Sequence, residues 1–553
     1  MNDTASLLNL NPLWVRGIRE RCRLKHMLSW GTIWVTIATF VFLVTYITMV
    51  EQEVSTKAEA AKAALPGILV IQAIILMLFG TGAVASGISQ DRDDDLLNYV
   101  RMTPMSPTAK VIGYLFGLPA REYLLFAATM PLVIIIVVIS GFNLLTLAHF
   151  YLVFFTSVLV YHMTALVVGM VSPKPRLSSL MSMGLVVLLY FALPNLSRVG
   201  ITFFEFLTIR PTFFGLIQQE LPEELRGRVE ATGIDTFRPV PFLNGAIRPT
   251  LYTLMVQGFL IVTMFSIVHR KWRDQASHLF SKIGALVVFF GVSIFTFSSL
   301  WAIVAQDDAY ARLFGSFDRE GPIERIPETF FFLFMTCLMI VSGTYLYLIC
   351  SVTPSKNLSM TGIRQAKRNG RSRISLLSDA ASSLPVALAM ISICFVWSIA
   401  IFSLAIKHGD YMSSAPSTLP IVASILLIVG TGVFVQGAAE STSLRVFGVF
   451  AFVLWMIPFF SMIIMFAAFE AFEAGLYVGQ PFPPVSMGFT TAWMLETTAP
   501  PESFNSDFRF LPPEDELTSS PARIAFTGAI GYTAAAIMVQ VLGIKRRRQL
   551  WSM

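Results

Sequence analysis

The stretch SGISQDRDDDLLNYVRMTPMSP, Ser86 to Pro107, separates two long apolar runs, and the rest of the chain is read outward from it. It opens with the acids Asp91, Asp93, Asp94 and Asp95 and closes on a Thr-Pro-Met-Ser-Pro turn. The spacing predicts a short helix on a membrane surface. The acids lie where a helix N-terminus favours negative charge, Leu96, Leu97, Tyr99 and Val100 form an apolar side, and Pro104 and Pro107 end the helix. A helix of this kind between two spans is a handle that a partner protein can push.

The 553 residues are 55% hydrophobic and only 13% charged, with a mean hydropathy of +0.68. Such a composition belongs to a polytopic membrane protein rather than to a set of soluble domains. The net charge of +6 is therefore read loop by loop. Cys22, Cys337, Cys350 and Cys394 fall in a basic segment or within apolar runs, placed neither for an extracellular disulfide nor for zinc. The first apolar run is long and comes after about two dozen mostly polar and basic residues, so a cleavable signal peptide is not expected.

Residues 1-27 carry Arg16, Arg19, Arg21, Arg23 and Lys25, with Leu10, Trp14, Ile18 and Cys22 at four-residue spacing. The pattern is that of an interfacial amphipathic helix, or of a basic tail that only fixes topology. Apolar runs come next at 28-50, 66-88, 121-141, 146-171, 177-194, 250-269, 283-305, 329-351, 385-406, 419-439, 446-468 and 524-544. Each is near the roughly 20 residues that cross a bilayer.

The expected fold is thus an all-α polytopic membrane protein of about 12 transmembrane helices. The order of loop lengths repeats, which predicts two parallel six-helix halves, 28-269 and 283-544, joined by a link at 270-282. Thr103-Pro104 after the second span is echoed by Thr353-Pro354 after the eighth. The first half holds the loop 89-110 and an outside loop 195-249; the second holds a basic loop 352-384 and an outside loop 469-523. Basic residues at Lys174 and Arg176, Arg270 to Arg273, Arg364 to Arg373 and the tail 545-553 place both termini in the cytoplasm under the positive-inside rule. Lys356 to Asp379 could dock a partner, meet anionic lipid, or be a solvated loop.

The order of span, charged turn, Leu-Leu step, Thr-Pro-x-Ser and new span resembles the cytoplasmic loop of ABC-2 type transporter permeases. The matching residues are Asp91, Arg92, Leu96, Leu97, Thr103, Pro104, Met105, Ser106 and Pro107, with Asp93, Asp94 and Asp95 standing where that family usually has Gly-Thr. The resemblance implies a coupling loop that binds a separate P-loop ATPase, present in two copies. It also implies export across a bacterial cytoplasmic (inner) membrane, with ATP and Mg bound by the ATPase and no cofactor in this chain. Membrane lipid is the other expected partner, and nucleic acid is not one.

No P-loop, H-E-x-x-H, G-x-S-x-G or metal-spaced Cys pair occurs, so the chain is expected to be a transport subunit rather than an enzyme. Asp91, Asp93 and Asp95 match the first acids of a calcium loop, but Leu96 and Met102 stand where Gly and Glu are needed. Within the spans the one clear ionisable side chain is His162, where a hydrogen bond to a neighbouring helix is favoured over a relay. Ion-coupled carriers bury a charge near the midplane, and none is expected here, which favours an outside motor. The alternative is a secondary carrier of the major facilitator type, which also has twelve spans. Gly87, Asp91 and Arg92 match the first part of its G-x-x-x-D-R-x-G loop and Asp93 to Asp95 depart from the rest. Aromatic and aliphatic spans without midplane charge suit an amphipathic, lipid-like, peptide or glycan cargo.

Overall fold

The computed structural model describes residues 11-51, 56-172, 174-191, 202-220, 239-274, 277-305, 327-371, 374-408 and 521-552, with short pieces between 423 and 479. After a short helix α1 (Pro12–Arg21) come α2 (Leu24–Glu51) and α3 (Lys57–Ala73), a π-helical segment Ile74–Gly80, and α4 (Thr81–Asp93). Next are α5 (Leu96–Met102), α6 (Pro107–Gly117), α7 (Ala120–Ser140), α8 (Leu144–Val171) and α9 (Pro175–Phe191). A 3-10 turn at Thr202–Leu207, α10 (Arg210–Glu220) and a hairpin of β1 (Val240–Phe242) and β2 (Gly245–Ile247) lead into α11 (Pro249–Arg273). The remaining described helices are α12 (Lys282–Ala305), α13 (Pro327–Val352), α14 (Lys356–Arg368), α15 (Leu384–His408), α16 (Phe472–Gly479) and α17 (Pro521–Ser552).

Among the described residues eight helices are long and apolar enough to cross a membrane, and a ninth if the bent pair α13 and α14 is one span. The chain is accordingly an all-α, multi-pass integral membrane protein. Nine of the expected spans coincide with α2, the α3–α4 rod, α7, α8, α11, α12, α13, α15 and α17. The fifth, 177-194, matches the shorter α9; 419-439 is described in pieces, all helical, and 446-468 lies largely outside the described residues. Between the first two apolar runs, α3 already begins at Lys57, ahead of the expected span 66-88. Thr56 accepts from the Glu59 amide at 3.3 Å and Glu59 reaches back to the Thr56 amide at 2.8 Å, a capping box that starts α3 early. Loop 195-249 holds the 3-10 turn, α10 and the hairpin, and of loop 469-523 only α16 is described.

Two apolar clusters account for most of the packing. Ile68, Leu76, Phe126, Val153 and Phe154 join α3, α7 and α8; Phe289, Val341, Tyr345 and Met390 join α12, α13 and α15. Glycines allow close approach where helices cross: a Cβ on Gly169 would lie 2.6 Å from the Ala85 carbonyl of α4.

The second span is where the helix geometry changes. Within the π-helical segment Ile74–Gly80, the Leu76 carbonyl accepts from His162 Nε2 of α8 at 3.0 Å. A carbonyl can only accept, so the Nε2 carries the proton and Nδ1 is left to accept from Tyr123 Oη at 3.4 Å. Gly80 makes room, since a Cβ there would lie 2.7 Å from His162 Nε2. One turn earlier, Gln72 donates to Thr129 Oγ1 at 3.0 Å and accepts from Tyr151 Oη at 2.8 Å. His162→Phe removes the buried hydrogen bonds to the Leu76 carbonyl and from Tyr123 and is expected to cost about 1–3 kcal/mol, with His162→Gln costing less. Thermal unfolding of the detergent-solubilised protein measures both, and a Phe variant as stable as wild type contradicts this account.

Candidate functional site

The helix of the second span does not stop before the acids. Nothing from Ser86 to Arg92 breaks a helix, so α4 carries Asp91 and Asp93 in its last turn, Asp94 caps its C-terminal end, and Asp95 turns the chain at φ 58° into α5. Three adjacent like charges disfavour further winding, and Asp is among the few residues other than Gly that enter the left-handed region readily. The expectation that the acids open a helix is therefore corrected: only Asp95 precedes one. Pro107 is likewise not a stop. It is the first residue of α6, whose N-cap Ser106 accepts from the Ala109 amide at 3.2 Å.

Asp91 lies inside the protein. It is 5% exposed and receives three hydrogen bonds: Arg16 Nη2 to Oδ1 at 2.8 Å, Arg16 Nη1 to Oδ2 at 3.1 Å, and Tyr114 Oη to Oδ2 at 2.8 Å. The hydrogen bond to Asp91 is the largest cause that raises the Arg16 pKa, so the guanidinium stays charged. Tyr114 is pushed up by burial first and by the Asp91 charge second, and keeps its proton. Asp91 thus braces the loop from inside.

The N-terminal helix is drawn in with it. Gly17 of α1 faces Gly117 of α6 so closely that a Cβ would lie 2.3 Å from the Gly117 carbonyl oxygen. Asn11 caps α1 and donates to the Ala109 carbonyl, and Trp14 packs 6.5 Å from Phe116. Gly17 and Trp14 thus pack α1 on α6, while Ile18 stays exposed.

Behind α5, Leu97 and Val100 are buried with Val84, Ile88 and Leu115. Lys110, itself buried, donates from Nζ to the carbonyls of Arg101 at 3.0 Å and Thr103 at 3.2 Å, closing the C-terminal end of α5. Burial and the neighbouring Arg101 lower its pKa. Arg101 lies 5.7 Å over the Trp272 ring, and Tyr114 stacks on the same ring at 5.4 Å. Facing outward are Asp93, Asp94, Asp95, Pro104 and Ser106, with Tyr99 67% and Met102 77% exposed. Arg92 donates to the Met170 carbonyl at 3.2 Å, and Leu96, Thr103, Met105 and Pro107 are half-buried. Arg16, Lys110, Tyr114 and Trp272 were not legible as parts of this site.

The end of α11 reaches a second loop. Two residues before Trp272, Arg270 pairs with Asp379, and its Nε donates to the His278 carbonyl at 3.0 Å. Lys282 Nζ donates to the carbonyls of Leu376 and Ser382, both at 2.8 Å. The segment so held comes after α14, which the sequence left as a basic stretch and which is a helix N-capped by Ser355. Ile363 and Ala366 of α14 are buried, and a Cβ on Gly362 would lie 2.2 Å from Ala380 Cβ. Arg364, Lys367, Arg368 and Arg371 are exposed.

His162 is not the one ionisable side chain within the helices that can span. Asp91, Glu122 and Lys282 sit buried at helix ends. Glu122 is 1% exposed; its Oε1 accepts from Arg121 Nη2 at 2.6 Å and its Oε2 makes no hydrogen bond. Among the described residues no three His, Cys, Asp or Glu side chains converge as metal ligands.

Arg16→Ala leaves a buried carboxylate with Tyr114 alone and is expected to cost about 2–3 kcal/mol, below the figure for a fully buried pair because Arg16 is partly solvated. Asp91→Asn, which still accepts from Tyr114, should cost about 1 kcal/mol. Gly17→Ala gains up to about 1 kcal/mol in helix propensity yet loses about 1–3 to overpacking against backbone that has no side chain to move. Unfolding temperatures rank the three, and a neutral Gly17→Ala would contradict the close α1–α6 contact. No protein-family model matches the chain, and no curated protein or solved structure is detectably similar to it.

Proposed function

We propose that the chain is the membrane-spanning permease subunit of an ATP-driven exporter of the ABC-2 type, powered by a separate P-loop ATPase that binds the ATP and Mg. The observation that carries this reading is α5: a surface helix that presents Tyr99, Met102 and Asp93 to Asp95 while Leu97, Val100, Lys110 and the Arg16–Asp91–Tyr114 cluster hold it from behind. A handle transmits force only if it is stiffer than the contact that pulls it. Only the turn at Asp94 and Asp95 separates α5 from α4, the end of the second span, so a displacement of α5 would be passed to a transmembrane rod.

The proposed architecture is twelve spans in two parallel six-span halves, with both termini in the cytoplasm of a bacterial inner-membrane protein. It is supported by a shared local geometry. Thr103 Oγ1 donates three residues back to the Val100 carbonyl and Thr353 Oγ1 four back to the Ile349 carbonyl, each at 2.6 Å, and a Ser caps the next helix two residues after Pro104 and one after Pro354. ATP-driven dimerisation of the ATPase would rock the halves apart and open an outward path. The cargo class is amphipathic, lipid-like, peptide or glycan.

One observation favours a second reading, an ion-coupled carrier of the major facilitator type. Glu122 is a buried acid with an unsatisfied oxygen. Its Oε1 is already paired with Arg121, and it lies in the first turn of α7 rather than at mid-span, so the exporter reading is preferred.

Asp93, Asp94 and Asp95 changed together to Ala, with Tyr99→Ala and Met102→Ala, should abolish stimulation of the co-purified ATPase while the unfolding temperature stays within about 1–2 °C of wild type, because all five are exposed. Full ATPase stimulation by that variant would falsify the role given to α5. Activity that tracks a proton gradient and needs no ATPase would replace the exporter with the carrier.

A further inference from the structure

Arg21 is the last residue of α1, just before the break that leads into the span α2, and Glu122 stands in the first turn of the span α7. Both charges therefore lie at the ends of membrane helices, at the level of lipid headgroups. Glu122 is 1% exposed, and its Oε1 accepts from Arg121 Nε at 3.0 Å and Nη2 at 2.6 Å, while Oε2 makes no hydrogen bond. An arginine beside it and the N-terminal end of a helix both favour the ionised carboxylate. An ionised oxygen inside a protein calls for a donor.

Arg21 does not supply that donor. Its guanidinium lies against α4, where a Cβ on Gly87 would be 2.9 Å from Nη2, and it makes no hydrogen bond among the described residues. Yet the two groups share one site. Burial lowers the Arg21 pKa and the Glu122 carboxylate is the first charge to oppose it; the Cys22 thiol, pushed up by burial, feels Glu122, Arg121 and Arg21 together. A cation and an anion that meet without bonding leave room for a third group, one that accepts from the first and donates to the second.

The surroundings say what that group is. Arg121 lies 5.8 Å over the ring of Trp30, which is 42% exposed, an aromatic placed as at a membrane interface. Leu28 of α2 and Leu124 of α7, 62% and 48% exposed, give acyl chains an apolar surface beside it. Among phospholipid headgroups, ethanolamine phosphate carries an anion for a guanidinium and a primary ammonium with three donors for a carboxylate. Choline has no N–H, and glycerol offers only neutral hydroxyls.

We propose that Arg21 and Glu122 form a binding site for one phosphatidylethanolamine molecule, with the lipid phosphate on Arg21, the ammonium on Glu122 Oε2, and the acyl chains along α2 and α7. The lipid then ties α1 to α7 at the membrane surface.

The test is titration of the full chain, delipidated in detergent, with phosphatidylethanolamine, phosphatidylcholine and phosphatidylglycerol of one acyl composition, the first bound lipid being followed by native mass spectrometry. Wild type should bind phosphatidylethanolamine about tenfold more tightly than phosphatidylcholine. Glu122→Gln, whose amide still accepts from Arg121, should bring the two within about twofold of each other. Arg21→Gln should weaken both about fivefold or more and keep their order, because both carry the phosphate. Unfolding temperatures without lipid certify that the variants are folded. If Glu122→Gln is not, wild type tested with N,N-dimethyl-phosphatidylethanolamine answers the same question: one N–H remains, so binding should stay closer to that of the parent lipid than to that of phosphatidylcholine. Equal binding of phosphatidylethanolamine and phosphatidylcholine by wild type overturns the proposal and leaves the bare oxygen to water. A preference for phosphatidylglycerol overturns it in favour of a merely basic site, and so does a preference for phosphatidylethanolamine that survives Glu122→Gln.

Discussion

A carboxylate carried to the buried end of a transmembrane helix must be met by a cation, and Arg16 meeting Asp91 is the contact on which this face of the molecule depends. Desolvating Asp91 alone is unfavourable by several kcal/mol, so the charge recruits α1, and α1 brings Asn11, Trp14 and Gly17 onto α6. Tyr114 adds the third bond and, through its ring, fastens the cluster to Trp272 of α11. Four helices that are distant in sequence are positioned by one ionised group and the donors it collects.

Trp272 and Arg270 lie on the same last turn of α11 but serve different loops, one under α5 and the other under the segment that comes after α14. The link between them and α12 is short, with Lys282 tied to two carbonyls beyond it. A tilt of α11 must therefore be felt by both loops, because neither anchor can yield without breaking a charged contact.

The fold class and most spans were legible because a run of apolar residues of bilayer length has few alternatives to a membrane helix. The exposed half of α5 was legible for a similar reason: Asp93 to Asp95 and the Thr-Pro-Met-Ser-Pro turn are strong local signals. The long-range contacts escaped the sequence. That Asp91 points inward is decided by Arg16, seventy-five positions away, and no local pattern reports that pairing. Gly17 reads as a weak point in a helix until Gly117 stands against it. Glu122 hides in an apolar run because its neighbour Arg121 reads as an ordinary flanking charge. The π-turn at Ile74–Gly80 has no signature in composition, since its residues are those of any span and its partner His162 comes from α8.

That π-turn sets the register of the rod beyond it. Returning such a segment to the ordinary helical repeat shifts the remainder of the rod by one residue, a rotation of about 100° and a rise of about 1.5 Å. Asp91 sits about three turns past Gly80 on the same rod, so the rotation would swing its carboxylate away from Arg16. The bond made to Leu76 sets the angle at which Asp91 arrives at the other end of the helix.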